Sequence, residues 1–183
     1  MKDFSRKDLN FSLCGLNCAL CPMKLGGYCP GCGGGEGNQS CSIARCSMKR
    51  AGIAYCFQCG EHPCEKYVGI DQFDSFLPHN QLKNFARAEK IGLEGYLAEL
   101  EEKSVILRHL LERCNDGRRK SFYCTAVNLL EIQELRAAVE RMESLAPEGT
   151  TVKEMAAAAV QALQDAAAVR GIELKLKKKP KKK

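Results

Sequence analysis

CGLNCALCPMKLGGYCPGCGGGEGNQSCSIARCSMKRAGIAYCFQCGEHPC, residues 14–64, holds ten of the chain's twelve cysteines. They run Cys14-x3-Cys18-x2-Cys21-x7-Cys29-x2-Cys32-x8-Cys41-x4-Cys46-x9-Cys56-x2-Cys59-x4-Cys64, with three Cys-x-x-Cys pairs. Two intervening residues let both thiolates of a tight turn face one ion, and a second such pair completes a tetrahedral sulfur site. Glycine is frequent here (Gly26, Gly27, Gly31, and Gly33 to Gly35), while other apolar residues are few. Such a segment has no core in which ten cysteines could be buried merely as small hydrophobes. It cannot offset its chain entropy by burial alone, so it calls for metal cross-links.

Cys18 and Cys21 with Cys29 and Cys32 read as one closed site. Cys56 and Cys59 with two of Cys41, Cys46 and Cys64 read as a second, leaving Cys14 and one of the last three over. His62 could replace a thiolate, or His62-Pro63 could simply shape the turn. Zinc, about two ions, matches the paired spacing, and all-sulfur zinc sites supply folding free energy directly. A four-thiolate zinc site is doubly negative, and Lys24, Arg45, Lys49 and Arg50 stand in sequence where they could moderate that charge. An iron–sulfur cluster uses the same ligands and is the alternative. The triplet Cys14-x3-Cys18-x2-Cys21 also has the spacing of the cluster loop in radical enzymes that use S-adenosylmethionine, but the strand and β/α array that precede and surround that loop are not readable here. Transient disulfide or thiol chemistry is a third reading.

The N-terminus lacks the apolar core of a signal peptide, and no run of eighteen apolar residues occurs, so export and membrane insertion are not indicated. The expected location is cytoplasmic, where thiols stay reduced and paired cysteines suggest ligation before disulfides. The net charge of +6 is local. The last thirteen residues, GIELKLKKKPKKK, hold seven Lys and one Glu, which leaves the first 170 residues with equal numbers of basic and acidic groups. A Lys run attracts nucleic acid, and equally serves as a solvated, flexible terminus.

Residues 1–13 read as a short helical lead-in with Phe4, Leu9, Phe11 and Leu13 available to pack, and Ser42 to Ala51 as a short helix ended by Gly52. Beyond Cys64 the periodicity is helical. A helix is predicted from about Pro78 to Ile91, with Leu82, Phe85, Ala86 and Glu89 following the proline and Gly92 at the stop position. Leu93, Tyr96, Leu97, Leu100, Leu107, Leu110, Leu111 and Cys114 then share one face, with Glu99, Glu101, Glu102, Lys103 and Arg113 away from it. After the turn at Asn115-Asp116-Gly117, Ser121 is a candidate cap for a helix carrying Phe122, Ala126, Leu129, Leu130, Ala138, Met142 and Leu145 up to Pro147. Thr151-x-x-Glu154 is a capping box for a last, Ala-rich helix with Val152, Met155, Ala159, Leu163 and Ala166 inward. Cys114 and Cys124 read as small hydrophobes on helical faces. Ile172, Leu174 and Leu176 alternate as a strand would, without a visible partner.

Arg118-Arg119-Lys120 at a helix start could clamp a small anion. The cations could equally cap the preceding helix or pair with nearby Glu. No Ser-His-Asp arrangement, phosphate loop or paired carboxylates are readable.

Cys14-Gly15-Leu16-Asn17-Cys18-Ala19-Leu20-Cys21-Pro22, Cys29-Pro30-Gly31-Cys32, Cys41, Ile43-Ala44-Arg45-Cys46, Gly52-Ile53-Ala54-Tyr55-Cys56-Phe57-Gln58-Cys59 and Pro63-Cys64-Glu65 resemble domain-of-unknown-function family 3795, small cysteine-rich proteins of bacteria and archaea. Phe73 to Phe76 and Asp116 to Cys124 resemble the helical half of its longer members. The resemblance covers about residues 12–145. It implies metal binding, with zinc as the metal, and no reaction. Where members often carry a further cysteine three positions before Cys41, this chain has Asn38.

The expected protein is therefore mainly α: a cysteine-rich metal-knuckle region (1–70) with little regular structure, packed on an antiparallel helical bundle (71–146), then an appended Ala-rich helix (147–171) and a flexible basic tail (172–183). The expected role is a non-enzymatic zinc-binding module facing a protein partner, a small anion or, through the tail, nucleic acid. An iron–sulfur redox protein and an enzyme acting on a small anion are the alternatives.

Overall fold

The computed structural model describes residues 3–35, 40–50, 52–147 and 149–180. The position of Asn38, the expected helix end at Ala51 and the last residues of the Lys run lie outside them. The protein is mainly α, and its cysteine-rich part has little regular structure. The chain divides into two compact units: a cysteine unit, Met1–Ala98 together with the chain from Lys177 on, and a helical unit, Glu99–Leu176.

The cysteine unit contains α1 (Pro22–Leu25), α2 (Ser42–Lys49), α3 (Gln81–Ile91) and the start of α4 (Leu93–Arg113), joined by single 3₁₀ turns at Cys18–Leu20, Cys56–Gln58 and Glu65–Tyr67. The expected helix over residues 1–13 is absent among the described residues. Instead Arg6 pins an irregular segment, donating to the carbonyls of Asp8, Phe11 and Ala54 at 3.1, 2.9 and 2.9 Å while its guanidinium lies 4.9 Å from the centre of the Tyr55 ring. That segment delivers Phe11 and Leu13 into a fully buried position. Phe11 meets Tyr55, Phe85 and Tyr96 at ring separations of 5.4, 5.6 and 4.8 Å, and Phe57 joins the group 5.0 Å from Phe85. This region thus has a small aromatic core beside its thiols, gathered from residues far apart in sequence.

α3 starts at Gln81, three residues later than expected, and its inner face is Gln81, Asn84, Phe85 and Ala88; of Leu82, Phe85, Ala86 and Glu89 only Phe85 is buried. Asn84 faces inward for a reason. Asn84 donates its amide to the Gly15 carbonyl at 2.8 Å, and the Tyr96 hydroxyl donates to the Asn17 side chain at 2.8 Å. Gly15 has φ of 92°, and a Cβ there would lie 2.9 Å from the Gln81 carbonyl, so the Cys14–Cys18 turn can seat on α3 only with glycine at this place.

In the helical unit α4 is followed by α5 (Lys120–Leu129), α6 (Ile132–Leu145) and α7 (Val152–Val169). The face expected for α4 holds at Leu100, Leu107, Leu110 and Cys114, all buried. Lys103, expected outside, is 7% exposed and donates its Nζ to the Leu130 carbonyl at 2.7 Å. A cation there satisfies a carbonyl at the end of α5 and complements the negative end of that helix.

The single helix expected between Ser121 and Pro147 is two. Leu130 takes φ −83° and ψ 149°, ending α5, and Glu131 opens α6 through a capping box with Glu134. Ser121 lies inside α5, whose N-cap is Arg119 without a side-chain cap. α5 buries Tyr123 through Asn128, nearly all of its circumference, and the Tyr123 hydroxyl ties it to the Cys114 carbonyl at 2.7 Å.

α7 begins at the expected box, with the Glu154 N–H donating to the Thr151 hydroxyl at 3.3 Å and the Thr151 N–H to the Glu154 carboxylate at 3.0 Å. Met155, Ala159 and Leu163 are inward as expected, whereas Val152 is exposed. Ala156, Ala159, Ala162 and Leu163 are buried, so α7 packs closely against α6 through small side chains. Arg141 pairs with Asp165 at 2.9 Å and Arg170 with Glu134 at 3.1 Å along that contact.

Ile172, Leu174 and Leu176 are alternately half-buried, as their pattern suggested, but form no strand among the described residues. The tail is anchored at Lys177. Its N–H donates to Asp74 Oδ2 at 2.7 Å, its carbonyl accepts the Asp74 N–H at 2.8 Å, and its Nζ reaches the Asp71 carbonyl at 2.5 Å. Asp74 is almost wholly buried, so the segment expected to be flexible closes over a buried carboxylate.

Candidate metal centre

Two of the three Cys-x-x-Cys pairs are built alike. In each a 3₁₀ turn starts at the first cysteine, and the N–H of the second returns to the carbonyl of the first, at 3.1 Å for Cys18 and Cys21 and 3.0 Å for Cys56 and Cys59. The His62 N–H then donates to the Cys59 carbonyl at 2.9 Å, and Tyr67 to the Cys64 carbonyl at 2.9 Å, folding Cys64 back toward the second pair. The third pair, Cys29 and Cys32, turns at Gly31, whose φ of 94° and 2.8 Å approach of a would-be Cβ to the Leu9 carbonyl exclude a side chain. No disulfide joins any cysteine among the described residues. Cys21, Cys114 and Cys124 are buried, Cys41 is exposed, and the rest are half-buried.

The sulfurs act on each other in two sets. Burial pushes the Cys14 thiol up to about 11, with Cys32 and Cys41 adding to the rise and the Ser12 hydroxyl opposing it. Burial likewise takes Cys18 to about 12, reinforced by Cys32, Cys14 and Cys21. Cys56 is raised to about 11, first by burial and then by Cys64, Cys46 and Cys59, against a hydrogen bond from the Tyr67 hydroxyl. These thiols are protonated at neutral pH without a cation, so a metal that binds them displaces protons.

The second set shares a cavity. Cys46 from α2, Cys56 and Cys59 from the 3₁₀ turn, and Cys64 line a space of about 40 Å³, walled by Leu13, Ile43 and Ile53. That volume suits an ion, whereas organic cofactors occupy pockets from roughly 300 Å³ upward. The donor set, four sulfurs, is the one structural zinc takes. As the side chains stand, no group of three or more His, Cys, Asp or Glu among the described residues is placed to hold an ion. A cysteine sulfur moves about 3 Å between staggered χ1 wells, so convergence on an ion is within reach of side-chain rotation.

The candidate counter-cations separate sharply. Lys24 donates to the Leu9 carbonyl at 2.7 Å, and Arg45 to Ser40. Arg50 alone of the four has a hydrogen bond to sulfur among the described residues: it lies 3.8 Å from Cys59, also reaches Cys46, and holds Glu61 at 2.6 Å with its other arm. His62 lines the same cavity with its ring edge-on to Tyr67 and Phe85, and its buried Nε2 has no hydrogen-bond partner. Burial lowers its proton affinity, against the opposing charge of Glu89.

The proposed anion clamp lies elsewhere, in the helical unit. There Asp116 accepts the Arg118 N–H at 3.1 Å and Arg119 Nε at 3.3 Å, so the loop turns these donors onto its own carboxylate, while Lys120 opens α5. Tyr55, Phe57 and Phe85, which seat the thiol turns on the aromatic core, were missed by sequence reasoning. Their only signal was their position beside Cys56 or on a helix face. Set against protein-family models, curated proteins and solved structures, the chain matches none.

Proposed function

We propose that the chain is a zinc-binding protein whose metal is structural, and that it acts as a non-enzymatic interaction module. The observation that carries this reading is the cavity lined by Cys46, Cys56, Cys59 and Cys64 in a unit with little helix to stabilise it. When bound there, zinc would cross-link α2, the Cys56 turn and Cys64. The chain's own residues do the rest: the 3₁₀ turns aim the thiols, Arg50 offsets their charge, and Phe11, Tyr55 and Phe85 fix the turns against α3. The resemblance to domain-of-unknown-function family 3795 agrees with metal binding and forms part of this proposal.

The interaction role draws on Tyr28, Val68 and Phe76, which are 80, 85 and 59% exposed on the cysteine unit. No helix among the described residues is long and apolar enough to cross a membrane. A cytoplasmic setting, where thiols are reduced, is part of the proposal. Metal analysis of anaerobically purified protein tests it. A colourless protein with about two zinc ions per chain is expected. A brown protein containing iron and sulfide would replace zinc by a cluster, and a folded metal-free chain would end the reading.

A further inference from the structure

We propose that Cys46, Cys56, Cys59 and Cys64 bind one divalent ion as a self-contained four-thiolate site, distinct from the Cys14, Cys18, Cys21 and Cys32 thiols, with Arg50 as its built-in counter-cation. The proposal rests on the zinc-binding reading and deepens it, because the spacing left three cysteines competing for two places and four cations competing for one task.

Two observations select the set. First, these four cysteines line one cavity, and neither Cys41 nor Cys14 does. Second, Arg50 follows directly on α2, the helix that carries Cys46, and its guanidinium donates to the Cys59 sulfur at 3.8 Å and also reaches Cys46. It therefore touches sulfurs from two separate segments.

The charge argument gives Arg50 its role. Four thiolates and a divalent ion carry a net charge of −2, and a guanidinium against two of the sulfurs reduces it while donating hydrogen bonds that only the deprotonated thiolate accepts fully. Glu61 accepts from the other side of the fork at 2.6 Å and orients Arg50, in an exposed pair that solvent screens. His62 shares the cavity, but its ring is held edge-on by Tyr67 and Phe85. Its buried Nε2 has no hydrogen-bond partner, but the four sulfurs already complete a tetrahedral set, so the fourth ligand is Cys46 and His62 packs beside it.

The test uses the full chain, zinc-loaded under anaerobic conditions, with zinc counted by mercurial displacement into a chromogenic chelator and with cobalt substitution as an optical readout. C46S, C56S, C59S and C64S should each remove the same one ion and the same cobalt spectrum. C46S/C56S should remove no more than either alone, whereas C18S/C56S should remove both ions. H62Q should leave the count and the all-sulfur cobalt spectrum unchanged. R50Q should keep the ion but weaken it about ten- to hundredfold and speed its release, with R50K restoring part of the loss.

If a cysteine variant fails to fold, footprinting of the wild-type protein decides. In the species that retains one ion, alkylation should find either Cys46, Cys56, Cys59 and Cys64 all protected or all four free. Protection of Cys41 together with Cys56 and Cys59, or loss of the ion in H62Q but not in C46S, would overturn the ligand set. Wild-type release kinetics in R50Q would overturn the role of Arg50. A wild-type chain that binds no metal would remove the zinc reading itself, an outcome distinct from a wrong ligand set.

Discussion

The two units satisfy the same physical requirements by different means. In the helical unit, backbone groups pair along α4 to α7, and burial is shared among many aliphatic and small side chains, Leu107, Leu110, Leu135, Ala156, Ala159 and Leu163 among them. In the cysteine unit, backbone groups are satisfied singly by particular side chains: Arg6 on three carbonyls, Asp8 on the Phe11 N–H, Ser12 on the Leu16 N–H and Asn84 on the Gly15 carbonyl. A regular unit tolerates loss of one contact because its neighbours repeat it. An irregular one depends on a few groups with no substitute, and on cross-links that hold its turns together.

The largest effect that would sharpen this contrast is metal removal. Structural zinc contributes an apparent 10–16 kcal/mol, roughly, in small zinc domains, comparable to or above the whole stability of a typical fold, about 5–15 kcal/mol. Chelation should therefore abolish amide-exchange protection across residues 11–67 while leaving α6 and α7 protected. Hydrogen exchange with fragment-resolved mass spectrometry reads both regions in one sample. Equal loss in both, or loss in neither, would erase the distinction.

Next comes the aromatic centre of the cysteine unit. Phe11 is fully buried and touches three rings, so Phe11→Ala should cost about 3–5 kcal/mol and displace the Cys14 turn as well. Leu107→Ala in the helical unit has a comparable expected cost, about 2–5 kcal/mol, but should leave metal content unchanged. Denaturation with parallel metal analysis separates the two. If Phe11→Ala kept full metal at full affinity, the aromatic core and the thiol sites would be independent.

A smaller effect attends Lys103, where the helical unit itself relies on a single side chain. Lys103→Ala leaves the Leu130 carbonyl buried without its 2.7 Å partner and should cost about 1–3 kcal/mol, detectable as a shift in the chemical denaturation midpoint. No change would mean that water replaces the ammonium group and that this break between helices needs no dedicated donor.

Legibility in the sequence follows the same division. Helices α4 and α7 were readable because a periodic face and a capping box are local signals. The break at Leu130 and Glu131 was not, because the apolar positions continue through it and the Glu131-x-x-Glu134 box uses glutamate as the cap in place of the usual Ser, Thr, Asp or Asn. Lys103 was misplaced because a cation in a polar stripe is ordinarily solvated, and only the fold brings a helix-end carbonyl to it. The ten clustered cysteines stand out in the sequence as a run, but which of them come together depends on contacts across long sequence separations. Arg50 meets Cys59 only after α2 and the Cys56 turn come together. The aromatic core was invisible for the same reason: Phe11, Tyr55, Phe85 and Tyr96 share no window of sequence.

The smallest expected effect tests whether local signals in the helical unit act locally. The Glu154 carboxyl is held below its ordinary range, chiefly by the Thr151 hydroxyl and then by the Thr151 N–H. A carboxyl whose folded-state proton affinity is depressed stabilises the fold above its unfolded value, and that contribution is lost as pH falls through the lower, folded value. Acidification from about pH 5, just above the ordinary glutamate range, should therefore fray the first turn of α7, Val152 to Met155, before the rest of the helix responds. Amide chemical shifts followed against pH would show it. Glu154→Gln should flatten the titration while keeping the fold, because glutamine still accepts the Thr151 N–H. Thr151→Ala should cost about 1 kcal/mol at neutral pH and move the Glu154 titration upward. If the titration of Val152 to Met155 were the same in Glu154→Gln as in the unaltered chain, another group would be responsible, and the start of α7 would be held by its packing on α6 instead of by its cap.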